Sequence, residues 1–319
     1  MAASTATDFE LVERFRQALD LLNPSGAKIG LAVSGGPDSI AMLLLAHEAI
    51  PGGFEVATVD HGLRPEAKDE CALVLAACEQ RGVSCEVLGI EVGEGNLQAQ
   101  ARAARYEALG DWATRRGLAA VATAHHADDQ AETLLMRLNR GSGVAGLAGV
   151  RRSQPPGPGG IHILRPLLGF RRAELKKVIA GARQKVVHDP SNVDERFDRV
   201  RIRSALADCD WLDPAALAIS ASNVAEAYEA LQAYAERLWP EMVTQTADGF
   251  LLKPGRSREM NRRLLAQVME RLGGRPRGGD VARLLLRLEA GEGGNVAGVL
   301  ARIEDGRWAL TREPPRRTG

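Results

Sequence analysis

Residues 28–47 read KIGLAVSGGPDSIAMLLLAH, and this stretch decides the fold. Its first apolar run predicts a buried strand, and its second predicts a helix. Between the two runs, Gly35 and Gly36 permit a sharp turn, and Pro37 suits the first turn of the helix. A helix start attracts anions through its unpaired N–H groups, and glycines let a phosphate approach the backbone. The stretch therefore predicts a phosphate-binding turn, with an ordinary serine-capped turn as the alternative.

The same alternation of strand and helix continues through the first half of the chain. Short apolar segments at 54–60, 83–90 and 118–124 predict strands. Longer segments between and around them predict helices, at 38–49, 65–81, 96–117 and 126–139. This order is typical of βαβ units. We therefore predict an α/β fold in which a parallel sheet carries helices on both faces.

Polar residues follow the ends of three predicted strands. Ser34 opens the turn described above, Asp60 and His61 follow the second strand, and 125–129 follows the fourth. Parallel sheets bind their ligands beyond the carboxyl ends of the strands. We therefore expect these residues to meet at one site.

The second half of the chain is organised differently. A Pro/Gly-rich loop at 151–163 leads to a basic helix at 171–183, and the pair Asp213-Pro214 predicts the start of a long helix. Asp305-Gly306 between apolar residues predicts a hairpin. We expect a catalytic domain over 1–212 and a smaller, mostly helical C-terminal domain over 213–319.

Composition excludes several classes of protein. The 319 residues contain four cysteines and no C-x-x-C pair, which argues against a disulfide framework, a zinc site or a redox dithiol. No apolar run is long enough to span a membrane, and the N-terminal residues lack the pattern of a signal peptide. We therefore expect a cytoplasmic protein. Its net charge is zero, yet 1–150 carries 12 basic and 20 acidic residues, while 251–287 carries 10 and 3.

The turn at 34–39 has the chemistry of a nucleotide site. Ser34 and Ser39 offer hydroxyl groups to phosphate, whereas Asp38 would repel phosphate unless a cation such as Mg²⁺ lay between them. The lysine of a Walker A loop is absent. Further along, Asp129 and Glu132 share one helix face and suit either a metal or a cationic substrate.

Six segments together resemble the tRNA(Ile)-lysidine synthases, a family within the PP-loop (N-type ATP pyrophosphatase) superfamily. These segments are AVSGGPDS, VDHGLR, ARAARYEAL, AHHADDQAETLLMRLNRGSG, LRPLL and HDPSNVDERFDRVRIR. They lie in this order within about 28–206. The resemblance implies a Rossmann-like PP-loop fold and an ATP-dependent ligase with ATP and Mg²⁺ as cofactors. Its implied partners are tRNA(Ile) with a CAU anticodon and free L-lysine, with no membrane, and a homodimer is compatible with it.

The resemblance also implies a role for each site residue. Asp38 would hold Mg²⁺, and the implied catalytic residues are Asp38, Asp129, Glu132, Arg201 and Arg203. ATP would bind to Ser34, Gly35, Gly36, Pro37, Asp38, Ser39 and His61. Lysine would bind to Arg105, Asp129 and Glu132. The tRNA would contact Arg171, Arg172, Arg199, Arg256 and Arg262.

Three other functions stay open at this stage. A PP-loop tRNA thiolase usually needs paired cysteines or cluster ligands, and this chain has no C-x-x-C. A small-molecule amidating synthetase would leave the basic C-terminal segments unexplained. A nucleotide-binding regulator without catalysis has little use for Asp38, Asp129 and Glu132.

Overall fold

The computed structural model describes residues 8–62, 66–90, 97–156, 160–187 and 198–313. The chain divides into two compact units: the first comprises Met1–Arg140 and Gly149–Ser222, and the second comprises Gly141–Ala148 and Asn223–Gly319. The contacts thus place the division at Ser222, inside a long helix, whereas our sequence-based boundary was at residue 212, just before that helix.

The described residues form the following helices and strands. The helices are α1 Phe9–Leu22, α2 Pro37–Ala49, α3 Glu66–Glu79, α4 Leu97–Arg116, α5 Ala127–Asn139, α6 Val144–Leu147, α7 Arg172–Ala182, α8 Asp198–Ala207, α9 Pro214–Met242, α10 Arg258–Arg271 and α11 Gly278–Glu289, with a 3₁₀ turn at Pro166–Gly169. The strands are β1 Ile29–Ala32, β2 Phe54–Asp60, β3 Cys85–Gly89, β4 Val121–Ala122, β5 Ser153–Gln154, β6 Ile163–Leu164, β7 Val243–Gln245, β8 Gly249–Leu252, β9 Gly294–Val296, β10 Val299–Glu304 and β11 Arg307–Arg312.

The first unit is built on a six-stranded sheet with the order β3-β2-β1-β4-β6-β5. All neighbours are parallel except β5, which pairs antiparallel with β6. Because β1 lies between β2 and β4, the carboxyl ends of these three strands meet at one edge. This arrangement confirms the predicted α/β fold, and it brings the turn after β1 next to the polar segment after β4.

Helices cover both faces of this sheet. On one face, buried residues of α1, α2, α3 and α7 form a single apolar core with the strands. On the other face, α4 packs through Leu109, Trp112 and Ala113. The Trp112 ring lies so close to Gly30 of β1 that a Cβ atom at residue 30 would overlap it. Glycine at this central strand position therefore allows α4 to lie against the sheet.

The second unit contains more β-structure than its sequence predicted. Five antiparallel strands form a sheet with the order β7-β8-β11-β10-β9, and α10 and α11 pack against it around Leu264, Leu284 and Trp308. The predicted hairpin at Asp305-Gly306 is confirmed: β10 and β11 flank the turn, and both of its residues have positive φ. The expectation of a mostly helical unit missed the other three strands. Across the described residues, no helix combines the length and the apolar character needed to cross a bilayer.

Candidate active site

The turn between β1 and α2 is shaped by its own hydroxyl and glycine residues. The Ser39 hydroxyl accepts a hydrogen bond from the Ser34 backbone N–H at 3.1 Å and donates one to the Gly36 carbonyl at 2.9 Å. Gly35 has φ of +79°, and a Cβ atom there would lie only 3.3 Å from the Glu70 carbonyl oxygen of α3. The turn is therefore held in shape by Ser39, which is buried, while the Ser34 side chain is exposed.

The start of α2 is open to a ligand. Gly36 is the N-cap and provides no side-chain cap, and Pro37 contributes no N–H group. Gly36 has an ordinary φ of −69°, so the backbone conformation does not require glycine there. The missing side chain instead leaves room beside the backbone. A helix start without a side-chain cap leaves backbone N–H groups and the positive end of the helix dipole for an anion.

The first turn of α5 lies beside this turn. His126 is fully buried and caps α5, because its side chain accepts a hydrogen bond from the Asp129 backbone N–H while the Asp129 carboxylate accepts one from the His126 N–H. His126 Nε2 lies 3.3 Å from Asp38 Oδ2 and 3.5 Å from Asp129 Oδ2. The motif after β1 and the motif after β4 are therefore in direct contact.

A cluster of arginines surrounds Glu132, whose side chain is only 1% exposed. Arg199 Nε donates to Glu132 at 2.7 Å, and Arg203 Nε donates to its other oxygen at the same distance. Arg199 also donates to Asp129 at 2.8 Å, and Arg172 lies 3.4 Å from Glu132. Burial alone would raise the pKa of Glu132, but the hydrogen bonds from Arg203 and Arg199 outweigh it and hold this pKa below its ordinary value.

The start of α7 is tied to α5 by a second set of contacts. The Arg172 backbone N–H donates to Asp128 at 2.8 Å. The Arg171 side chain lies 3.4 Å from Asp128 through Nε and donates to Asp213 at 2.9 Å. These two arginines therefore already contact carboxylates within the first unit.

Two arginines of the first unit are poorly compensated by carboxylates. Arg165 is only 3% exposed and donates to the Arg151 carbonyl and the Gln154 amide oxygen, and among the described residues its buried Nε has no hydrogen-bond partner. Among the described residues, Arg105 has no carboxylate in ion-pair range, and burial lowers its pKa. With respect to the described residues, each of these guanidinium groups can bind an anion without first breaking an ion pair.

His125 is uncharged at neutral pH. Burial is the main cause that lowers its pKa, to about 4, and the guanidiniums of Arg165 and Arg102 add to the effect against the opposing influence of Asp129. One of its ring nitrogens, Nδ1, lies 3.1 Å from the Thr123 hydroxyl.

Comparison with known proteins identifies the family. The model of the PP-loop domain matches residues 10–209. The tRNA(Ile)-lysidine synthase of Novosphingobium aromaticivorans is 49% identical over 96% of this chain and 94% of its own length. That of Zymomonas mobilis is 37% identical over 93% and 92%. This chain belongs to the tRNA(Ile)-lysidine synthase family. A solved U34-tRNA thiolase, NcsA from Methanococcus maripaludis, shares the fold at 19% identity, with a TM-score of 0.54 over 70% of this chain and 78% of its own.

In this member of the lysidine synthase family, the structure brings most of the predicted catalytic residues together. Asp38, Asp129, Glu132 and Arg203 are connected through His126 and the arginine cluster. Arg199, which we had assigned to tRNA contact, belongs to the same cluster. Arg201 does not: its side chain is 66% exposed and pairs with Asp198. It lines a separate cavity of about 290 Å³ between α5 and α8.

Three further predicted residues of this lysidine synthase family member are His61, Arg256 and Arg262. His61 follows β2 at the same sheet edge as the turn after β1. Arg256 lies in the second unit and is exposed. Arg262 is also in that unit and is ion-paired to Glu259, which Arg263 contacts at 2.7 Å. Two of the segments that resemble the family lie partly outside the described residues. In VDHGLR these residues are 63–64, and in the segment 188–203 they are 188–197.

The sequence left two features of this lysidine synthase family site unassigned. It showed two adjacent histidines without distinguishing them, and the structure separates His126, a buried cap beside Asp38, from His125. It also gave no role to Arg165 in LRPLL, because a buried arginine cannot be told from an exposed one by residue type. A basic residue between apolar residues was the only available signal.

Proposed function

We propose that this chain joins free L-lysine to the wobble cytidine of tRNA(Ile) with a CAU anticodon, in the cytoplasm, and so forms lysidine at the expense of ATP. Two relatives named tRNA(Ile)-lysidine synthase align with more than nine-tenths of the chain, which supports the proposal. The structural observation that carries it is the contact of Asp38 and Asp129 with the same imidazole, since this joins the ATP-binding turn and the substrate motif in one site.

In the first step, O2 of the cytosine attacks the α-phosphorus of ATP. A P–O bond forms to the base, the bond to the bridging oxygen breaks, and pyrophosphate leaves. Gly35, Gly36 and the open start of α2 would hold the phosphate oxygens, with the Ser34 hydroxyl as a further donor. Arg203, which lies close to Asp38 and Glu132, would stabilise the negative charge that develops on the phosphate.

Asp38 fits the role of a magnesium ligand. Its Oδ1 atom is buried and has no hydrogen-bond partner among the described residues, so its charge is left uncompensated there and a bound cation would satisfy it. Mg²⁺ typically takes one or two protein carboxylates and completes its shell with phosphate oxygens and water. When bound, the ion would neutralise charge on the leaving pyrophosphate.

In the second step, the ε-amine of lysine attacks C2 of the adenylated cytidine. A C–N bond forms, the C–O bond to AMP breaks, and the nitrogen gives up its extra proton to solvent. Asp129 is 15% exposed and suits the lysine ammonium group, whereas Arg105 suits the carboxylate. Glu132 is closed off by guanidinium groups, so we assign it the role of holding Arg199 and Arg203 in place.

We propose that tRNA contacts both units. Arg171 and Arg172 at the start of α7, and Arg256 and Arg262 in the second unit, are the candidate phosphate contacts. Among the described residues, all of these except Arg256 make an internal ion pair, so phosphate must compete with a carboxylate at those positions. Each phosphate contact that forms should add roughly one unit to the slope of log affinity against log salt.

The decisive test is mass analysis of unmodified tRNA(Ile) after incubation with the protein, ATP and isotope-labelled lysine. We expect a mass gain that requires all three components. Asp38→Ala should abolish adenylate formation, and Asp129→Ala should raise the lysine concentration needed for half-maximal turnover. Asp111→Ala, an exposed carboxylate on α4, is the matched control. Pyrophosphate release that proceeds equally without tRNA would refute the proposal and favour a small-molecule synthetase.

A further inference from the structure

His126 makes two kinds of contact at once. Through Nδ1 it accepts the Asp129 backbone N–H and caps α5. Through Nε2 it approaches Asp38 at 3.3 Å and the Asp129 carboxylate at 3.5 Å. An imidazole that only capped a helix would not need to reach the loop that follows a different strand.

The capping contact fixes which nitrogen carries the proton. Because Nδ1 accepts a hydrogen bond, the neutral ring must carry its hydrogen on Nε2, toward the two carboxylates. Among the described residues, Nε2 has no well-aligned hydrogen bond; it faces Asp38 Oδ2, while Asp38 Oδ1 is buried and also lacks a partner. Within the described ranges, His126 is also the one side chain in ion-pair range of Asp38. Among the described residues, this imidazole is therefore the side chain best placed to orient the Asp38 carboxylate.

We propose that His126 is a positioning residue: its Nε2–H faces Asp38 Oδ2 at 3.3 Å and holds this carboxylate in the orientation that binds the magnesium ion that accompanies ATP. This role rests on the proposed function only in requiring that the chain bind ATP with Mg²⁺. Carboxylate ligands are commonly oriented by an outer hydrogen-bond donor, and losing that donor typically weakens metal affinity roughly 10- to 100-fold.

Two substitutions separate the capping role from the positioning role. In His126→Asn, the amide oxygen lies near the place of Nδ1 and retains a good N-cap, but the side chain is too short to reach Asp38. In His126→Gln, the amide nitrogen lies near the place of Nε2 and retains the contact with Asp38, whereas the cap is weakened. His162→Asn is the control, because His162 is an exposed histidine of the same unit.

The measurement is ATP affinity by calorimetry, with Mg²⁺ and separately with EDTA, together with the unfolding temperature. For His126→Asn we expect a wild-type unfolding temperature, a roughly 10- to 100-fold loss of affinity with Mg²⁺, and no change with EDTA. His126→Gln should unfold at a lower temperature and keep its affinity with Mg²⁺. In an Asp38→Asn background, His126→Asn should have no further effect, because the histidine acts through that carboxylate.

Three results would overturn the proposal. These are an unchanged affinity with Mg²⁺ in His126→Asn, an equal loss with and without Mg²⁺, or an effect that adds fully to that of Asp38→Asn. Because these assays contain neither tRNA nor lysine, they are independent of the proposed reaction. A wild-type protein that binds ATP with Mg²⁺ but produces no lysidine would refute the proposed function and leave the role of His126 intact.

Discussion

Glu132→Gln tests whether the arginine cluster stabilises the fold through charge. The substitution keeps the size of the side chain and removes its negative charge. Removing one partner of a buried ion pair costs about 3–5 kcal/mol. The side chains of Arg172, Arg203 and Arg199 are 23%, 28% and 39% exposed, so water can partly replace the lost carboxylate. We therefore expect the free energy of unfolding to fall by roughly 2–3 kcal/mol at neutral pH.

The pH dependence of this difference separates charge from packing. The pKa of Glu132 is lower in the folded protein than its ordinary value of 4.5. The folded state therefore binds fewer protons than the unfolded state in acid, and the stabilisation is complete above pH 4.5 and is lost as the pH falls through the folded-state pKa. The difference between wild type and Glu132→Gln should shrink in the same way.

Urea unfolding between pH 7 and pH 3, followed by circular dichroism and tryptophan fluorescence, measures this difference. Asp198→Asn is the control, because Asp198 pairs with two arginines in the same region but is 51% exposed. We expect the control to unfold like the wild type. A difference for Glu132→Gln that stays constant over this pH range, or that is no larger than for the control, would refute the reasoning.

Two further predictions concern regions away from the candidate site. Glu55→Gln should cost about 1–2 kcal/mol at pH 7, after allowance for the half-exposed cations, because Arg116 and Lys28 lower the pKa of Glu55 from 4.5 to about 2. Its stabilisation is present above pH 4.5 and disappears toward pH 2, so urea unfolding curves of wild type and variant should converge in acid; curves that stay apart would contradict this. Gly30→Ala should lower the free energy of unfolding by about 1–3 kcal/mol, since the added methyl group overlaps the Trp112 ring. Substituting Trp112 with leucine in the Gly30→Ala background should recover part of that loss, and a purely additive double variant would show that the two positions do not interact.

The sequence predicted the first four strands and the helices around them because these elements had local signals, whereas it missed β5 and β6, which begin within the segment 151–163 that we predicted as a loop. Glycines followed β1, strands alternated with helices, and polar residues stood at the strand ends. The second unit gave weaker signals: β7, β8 and β9 have only three or four residues each, and their apolar residues do not alternate over a sufficient length. Asp305-Gly306 alone carried a strong turn signal, so only that hairpin was predicted.

Arg199 and Arg201 show what sequence reasoning lacked within the site. The sequence analysis placed Arg201 among the catalytic residues and Arg199 among the tRNA contacts, whereas the structure places Arg199 in the cluster and Arg201 outside it. On α8, Arg199 and Arg203 are four residues apart and share a face, whereas Arg201 points elsewhere. The helical spacing was present in the sequence, but the face that meets α5 is decided by tertiary packing. Once one of these arginines is anchored, the spacing identifies the other. The same holds for His125 and His126: His126 is the N-cap of α5 and faces Asp38, whereas His125 precedes the cap and contacts Thr123.

The balance of charge around the first turn of α5 constrains how substrates enter. Three guanidinium groups already surround the two carboxylates of Asp129 and Glu132. An incoming ammonium group would therefore compete with an arginine there, so its net gain is the difference between two similar attractions. An incoming polyphosphate is instead attracted by these guanidinium groups, and it can bind the arginine that an ammonium group has released. Amino acid and nucleotide should consequently strengthen each other's binding, even if they never touch.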